Sequence, residues 1–303
     1  MYNILLEESI MQRDIPCTAG SKMLANFIAP FDATVAVLLQ AAGVRISGRV
    51  ITSEFGVGGL FADQPGELTV SVNSFATGEA DAMLCNDYTG AIAAAAGNRG
   101  LCYIHPTYGT VSRHGLIPSV TSIDQIGVLC RDVKTGFEII NIISGKNINP
   151  TRQKTPVITK THQPYYDIYP QIMQILCCAE LANNISRYDG IKFGYRAKDY
   201  NNLDELYTKS RTGAFGENIK LSALIGAMVL SKDNYNKYYD KAMRLRRMIK
   251  NSLDFSKAEV LTATENQESG FPVLSRLCGL PSLTTPKGTF IANTECEDLL
   301  YEV

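Results

Sequence analysis

The stretch FDATVAVLLQAAGVRISGRVI, residues 31–51, reads as a helix handed straight to a strand. Asp32 suits the helix start, because a carboxylate there can accept from the first unpaired N–H groups. Val35, Leu38, Leu39 and Ala42 recur at helical spacing, and Gly43 fits the left-handed position that closes such a helix. The residues VRISGRVI, 44–51, then carry strand character. A helix running directly into a strand is a building unit of a sheet covered by helices on both faces. The expected class is therefore α/β, with a mixed sheet.

Working outward, SVNSFATGEADAMLC (71–85) reads as a helix running into a short strand at Ala82–Cys85. Ala91–Ala96 reads as a helix closed by Gly97 and Gly100, and LCYI (101–104) as a buried strand. DVKTGFEIINIISG (132–145) predicts an amphipathic helix between a capping Asp132 and a closing Gly145. The segment 146–164 is polar and broken by prolines, which marks a boundary. From 166 to 254 the pattern is mostly helical, strongest in YNKYYDKAMRLRRMIKNSLDF (235–255). Strand signals return at EVLTAT (259–264) and GTFIAN (288–293). The expected organisation is one domain over 1–303: a core in 1–146, a helical insertion in 166–254, and a return to the sheet in 255–303.

A chain of 303 residues can bury one large core. Its 29 basic and 30 acidic residues give a net charge of −1, so no overall basic field points to nucleic acid, and direct binding to it is not expected. The first residues have no basic start and no long apolar core, and no apolar run approaches the roughly 18 residues of a membrane span. Eight cysteines at irregular spacing, without a C-x-x-C pair, fit reduced thiols and a cytoplasmic location rather than structural zinc. The histidines His105, His114 and His162 have neither triad nor metal spacing, and no metal or cofactor is expected.

Seven blocks carry the chemistry: CTAGSKML (17–24), PFDATVAVLLQAAG (30–43), SEF (53–55), DYTGA (87–91), PTYGTVSRHGLIPSVTSIDQIGVLCRDV (106–133), SRYDGIKFGYR (186–196) and YYDKAMRLRRMIK (238–250). In this order they resemble the amidase signature family, and within it the branch of the glutamyl-tRNA amidotransferase A-subunits. The resemblance spans about residues 5–300. It implies the amidase-signature fold and amide hydrolysis through a Ser–Ser–Lys triad, with backbone N–H groups before the nucleophile forming an oxyanion hole.

Carried over position by position, the family nucleophile falls on Ala91, the cis-serine on Glu67 and the lysine on Glu7, with Glu8 beside it. The residues ahead of the nucleophile are Tyr88, Thr89 and Gly90, whose N–H groups would retain the anion cradle. The substrate-holding positions fall on Leu221, Ser222 and Ser269. The resemblance thus implies a shortened member without an intact catalytic triad.

Some residues keep two readings. Glu7, Glu8, Glu67 and Asp87 could converge for acid–base or divalent-cation chemistry, or be solvated carboxylates in an emptied pocket. Cys85 could replace the nucleophile or be a buried, inert thiol. Helix 241–250 could meet phosphate, or be a solvated cationic face. The expected role is that of a catalytically inactive amidase-like protein that binds, scaffolds or regulates. Its expected partners are a second copy (a homo-oligomer) or proteins like the B and C subunits of the amidotransferases, with a small carboxylate or amide as candidate ligand. The alternative is an active amidase or glutaminase-type hydrolase, or a working amidotransferase component, with a rewired site. A pure ligand sensor is a third.

Overall fold

A computed structural model describes residues 2–61, 65–148, 155–264, 267 and 270–303; at the start of the second helix its account of side chains begins at Val70. In chain order the elements are β1 (Asn3–Glu7), α1 (Thr34–Ala41), β2 (Arg45–Val50), α2 (Pro65–Thr77), β3 (Ala82–Asn86), α3 (Ala91–Gly97), β4 (Cys102–His105), β5 (Ile126–Cys130) and α4 (Val133–Ser144). There follow β6 (Ile158–Thr161), α5 (Tyr169–Ile185), α6 (Leu203–Ala214), α7 (Glu217–Leu230), α8 (Lys241–Asn251), β7 (Val260–Ala263), α9 (Phe271–Cys278), β8 (Ser282–Thr285), β9 (Gly288–Ala292) and α10 (Asp298–Tyr301).

The strands form one nine-stranded mixed sheet in the order β2-β1-β3-β5-β4-β8-β9-β7-β6. β1 runs parallel to β2 and β3, β6 runs parallel to β7, and the remaining pairs are antiparallel. β3 and β5 are buried along their whole length, as strands covered on both faces must be. One face carries α1, α4 and α10 over Ile4, Leu6, Ile104 and Val128. The other carries α2 and α3 over Met83, Cys85, Tyr103 and Leu129, with α5, α7, α8 and α9 continuing that layer. This is the α/β class expected from the sequence.

α4 follows its predicted logic closely. The Asp132 carboxylate accepts from Thr135 N at 2.9 Å, Gly145 closes the helix at φ +65°, and Phe137, Ile140 and Ile143 face the sheet. Other local expectations need correction. Asp32 does not cap α1; Ala33 holds that position, and Asp32 Oδ1 instead accepts from Arg13 N at 2.9 Å. The helix expected from residue 71 starts earlier, at Pro65, as α2. The segment read as a broken boundary contains β6, an exposed edge strand aligned against β7. Residues 169–251 carry α5 to α8, and the helix expected over 235–255 starts only at Lys241, after a π-helical turn at Asn236–Asp240. No described helix is long and apolar enough to cross a membrane.

Candidate functional site

β1 and β3 run side by side, so their C-terminal ends bring Glu7 and Asn86 to the same edge of the sheet. That edge, where parallel strands release the chain into loops, is the usual place for a site in an α/β fold. From Asn86 the chain turns through Asp87, Tyr88, Thr89 and Gly90 and enters α3 at Ala91. Gly90 sits at φ +82°, and a Cβ there would lie 3.0 Å from the Pro272 and Val273 backbone, so the turn requires glycine on both counts.

Behind the cradle, the first amides of α3 are satisfied from within the chain. Asp87 Oδ1 accepts from Ile92 N at 3.1 Å and Oδ2 from Ala93 N at 2.9 Å. A carboxylate of the chain itself thus occupies the positive end of the helix. Asp87 is in turn paired with Arg276 of α9, whose Nη2 donates to Oδ2 at 3.0 Å and whose Nε donates to the Asp87 carbonyl at 3.1 Å. Arg276 also donates to Pro272 O, Ser275 Oγ and Ser282 Oγ, and both charged side chains are fully buried. A buried pair of this kind persists because its remaining hydrogen-bonding capacity is satisfied.

The Tyr88, Thr89 and Gly90 amides donate to no group among the described residues. Their side chains do other work. Tyr88 is buried and donates to Phe55 O at 3.1 Å; Thr89 Oγ1 donates to Gly58 O at 3.1 Å. The cavity against this turn, touching Ser71, Asn86, Asp87 and Thr89, measures only about 10 Å³. That is room for about one water molecule. It shares Thr52 and Ser53 with a larger cavity of about 460 Å³, bounded by Gly20, Ile51, Glu54, Glu217 and Asn218.

Glu7 is buried and accepts from Asn86 N at 2.8 Å and from Ser9 Oγ at 2.6 Å. Burial pushes its carboxyl up to about 7, against the pull of those two hydrogen bonds, and the nearby Asp87 and Asp124 carboxylates push the same way. Asn86 Nδ2 donates to Asp124 Oδ1 at 2.9 Å, and Asp124 accepts further from Ser119 N and Val120 N. Burial raises Asp124 as well. Gln125 Oε1 accepts from Gly109 N, so the PTYG and SIDQIG blocks form one hydrogen-bonded frame behind the turn.

Glu7, Glu8 and Asp87 each have their own hydrogen-bond partners. Glu7 bonds Ser9 and Asn86, Glu8 bonds Thr18, and Asp87 serves α3 and Arg276. Glu67 falls in the first turn of α2, its side chain outside the described residues. Among the described residues no group of three or more His, Cys, Asp or Glu is placed to hold a metal ion. Cys85 is buried in β3, and burial, with Glu7 and Asp87 nearby, raises its thiol well above the ordinary range. A thiol held that way is a poor nucleophile. Leu221 is 42% exposed on the outer side of α7, and Ser222 is buried with its hydroxyl donating to Asn218 O at 2.8 Å. Neither lines the 460 Å³ cavity, which α7 reaches one turn earlier through Glu217 and Asn218. Ser269 lies outside the described residues.

Two arginines escaped the sequence reading. Arg276 is the single cation in the apolar run FPVLSRLCGL, a signal that a buried partner exists without saying which. Arg49, on the edge strand β2, has its guanidinium nitrogens buried beside Cys17, Glu8 and Glu7, and forms no ion pair among the described residues. It returns a positive charge to the neighbourhood of Glu7. The motif blocks also interlock: Phe55 of SEF stacks on Tyr188 of RYDG with ring centres 5.5 Å apart, and Glu54 accepts from Ser21 Oγ and Gly216 N.

A nine-stranded mixed sheet with a turn–helix site at the ends of β1 and β3 is the architecture of amidases. The crystal structure of an amidase superposes with a TM-score of 0.76 over 99% of this chain and 82% of that one, at 17% identity. The amidase family profile matches residues 3–65, 74–169 and 157–263, and the chain belongs to that family. It is similar to the A-subunit of glutamyl-tRNA(Gln) amidotransferase from Trichodesmium erythraeum, at 29% identity over 99% of this chain and 82% of that protein. The corresponding protein from Wolinella succinogenes is 31% identical over 83% of this chain and 70% of its own length.

Proposed function

We propose that this chain is a non-catalytic member of the amidase family that acts by binding, as a scaffold or regulatory protein. The observation that carries the reading is the turn at 87–91. Alanine follows Gly90, so the amides of Tyr88, Thr89 and Gly90 face no nucleophilic side chain at that position, and the adjoining space takes about one water. An acyl transfer needs a nucleophile beside amides open to the developing oxyanion. In the family register Glu7 and Glu67 occupy the lysine and cis-serine positions, so the hydroxyl and its helpers are absent together. The binding surfaces are the 460 Å³ cavity, whose Glu54 and Glu217 suit a small amide better than a carboxylate, and the helical layer for protein partners. Those partners would be a second copy or proteins like the B and C subunits of the amidotransferases, working in the cytoplasm. Glutamine, asparagine and simple amides, offered to the purified chain, should release no ammonia above the buffer rate. Release that disappears in Glu7→Gln would overturn the reading.

That arm also tests a second reading, a rewired hydrolase, which one feature favours. Glu7 is a buried carboxyl pushed up to about 7 at the end of β1, the range in which a general base operates.

A further inference from the structure

The 66 residues from 186 to 251 contain 14 basic and 7 acidic side chains, whereas the rest of the chain contains 15 and 23. The near-neutral total hides a cationic helical layer on an anionic body. From that layer α7 packs so closely on α5 that a Cβ on Gly226 would lie 2.2 Å from Cys178 O. The pair forms a firm platform, and its outer side is apolar. Leu221, Leu224 and Met228 recur at helical spacing on α7 and are 42%, 71% and 47% exposed. Beside them lies a groove of about 500 Å³ floored by Ile185, Phe215, Ala223 and Leu224 and edged by Arg211 and Lys220. Among the described residues no acidic side chain lines it. Lys220 makes no ion pair among the described residues, and Arg211 spends Nε and Nη2 on Tyr188 O and Ser186 O.

We propose that this groove is the docking site for an amphipathic helix of an acidic partner protein. Its apolar side chains cover Leu224 and the groove floor, and its carboxylates meet Lys220 and Arg211. Exposed apolar surface of this kind marks an interaction site, and the cationic rim selects the sign of the partner's charge. A second copy fits less well, because a two-fold contact would set the same cations against themselves. A nucleic-acid strand fits less well too, because the lining offers one aromatic ring, Phe215, and it is buried.

The inference deepens the binding role proposed above, and its test is separate from that role's test. The probe is a fluorescein-labelled amphipathic helix of leucine and glutamate, about 18 residues long, titrated against the full chain by anisotropy. Binding should weaken at least about tenfold in Leu224→Glu. It should weaken in Lys220→Glu and in added salt, with thermal midpoints unchanged in both variants. The inference is overturned if the wild-type chain does not bind the peptide, if a leucine–lysine counterpart binds equally well, or if Leu224→Glu leaves affinity intact. It is also overturned if sedimentation shows a wild-type dimer that Leu224→Glu dissociates, or if single-stranded RNA displaces the peptide. Ammonia release by the same preparations would sink the non-catalytic reading and leave the peptide result standing.

Discussion

Arg276→Met is the most telling perturbation of this fold. The guanidinium is fully buried and donates to Asp87 Oδ2, the Asp87 carbonyl, Pro272 O, Ser275 Oγ and Ser282 Oγ. Methionine fills much of the space and supplies none of these donors. It leaves the Asp87 carboxylate buried, with only Ile92 N and Ala93 N as partners. Removing one member of a buried ion pair costs about 3–5 kcal/mol. Loss of the guanidinium over the Tyr103 ring, 5.3 Å from its centre, adds a smaller amount. With a urea slope of about 3 kcal/mol/M, the unfolding midpoint should fall by roughly 1–1.7 M. Asp87→Asn removes the charge at the other end and leaves Arg276 unpaired. The double variant should therefore be more stable than the two single losses sum to, by at least about 1 kcal/mol. Urea titration followed by circular dichroism measures all four proteins. A midpoint within about 0.3 M of wild type for Arg276→Met, or strict additivity in the cycle, would refute the reasoning that this pair clamps the turn to α9.

Glu7 and Gly226 give two further predictions. Glu7 titrates near 7 in the folded chain against an ordinary value of 4.5, so folding favours its protonated form. That contribution is complete below about 4.5 and is lost as pH rises through about 7, a difference of about 3 kcal/mol. Glu7→Gln should therefore gain stability relative to wild type between pH 5 and pH 8, and urea midpoints that move in parallel would count against it. Gly226→Ala should lower the thermal midpoint, although alanine favours an isolated helix by about 1 kcal/mol. The added Cβ would meet the Cys178 carbonyl at 2.2 Å and the Ala182 Cβ at 2.4 Å, and calorimetry showing a raised midpoint would argue that α5 and α7 are not closely packed.

What the sequence determined by itself is local or serial. Asp132 and Gly145 bound α4 because a cap and a left-handed terminator act within a few residues of the helix they end. The α/β class follows from helix running into strand, and the alanine at the start of α3 is legible from the order of the family blocks. β1 and β5 carry no turn signature or alternation to announce them; their burial is a consequence of where the sheet places them. β6 looked like a broken linker because an exposed edge strand needs only its neighbour's backbone, not an apolar pattern.

Only the tertiary structure decided who pairs with whom. Arg276 and Asp87 stand 189 positions apart, and Glu7 meets Asn86 across 79. No periodicity encodes such distances, because the attraction that offsets the desolvation of these buried groups exists only once the sheet has closed around them. The same closure decided which acceptor meets the first amides of α3. Sequence placed the amides of α3 at the end of β3, and the fold gave them the carboxylate of Asp87.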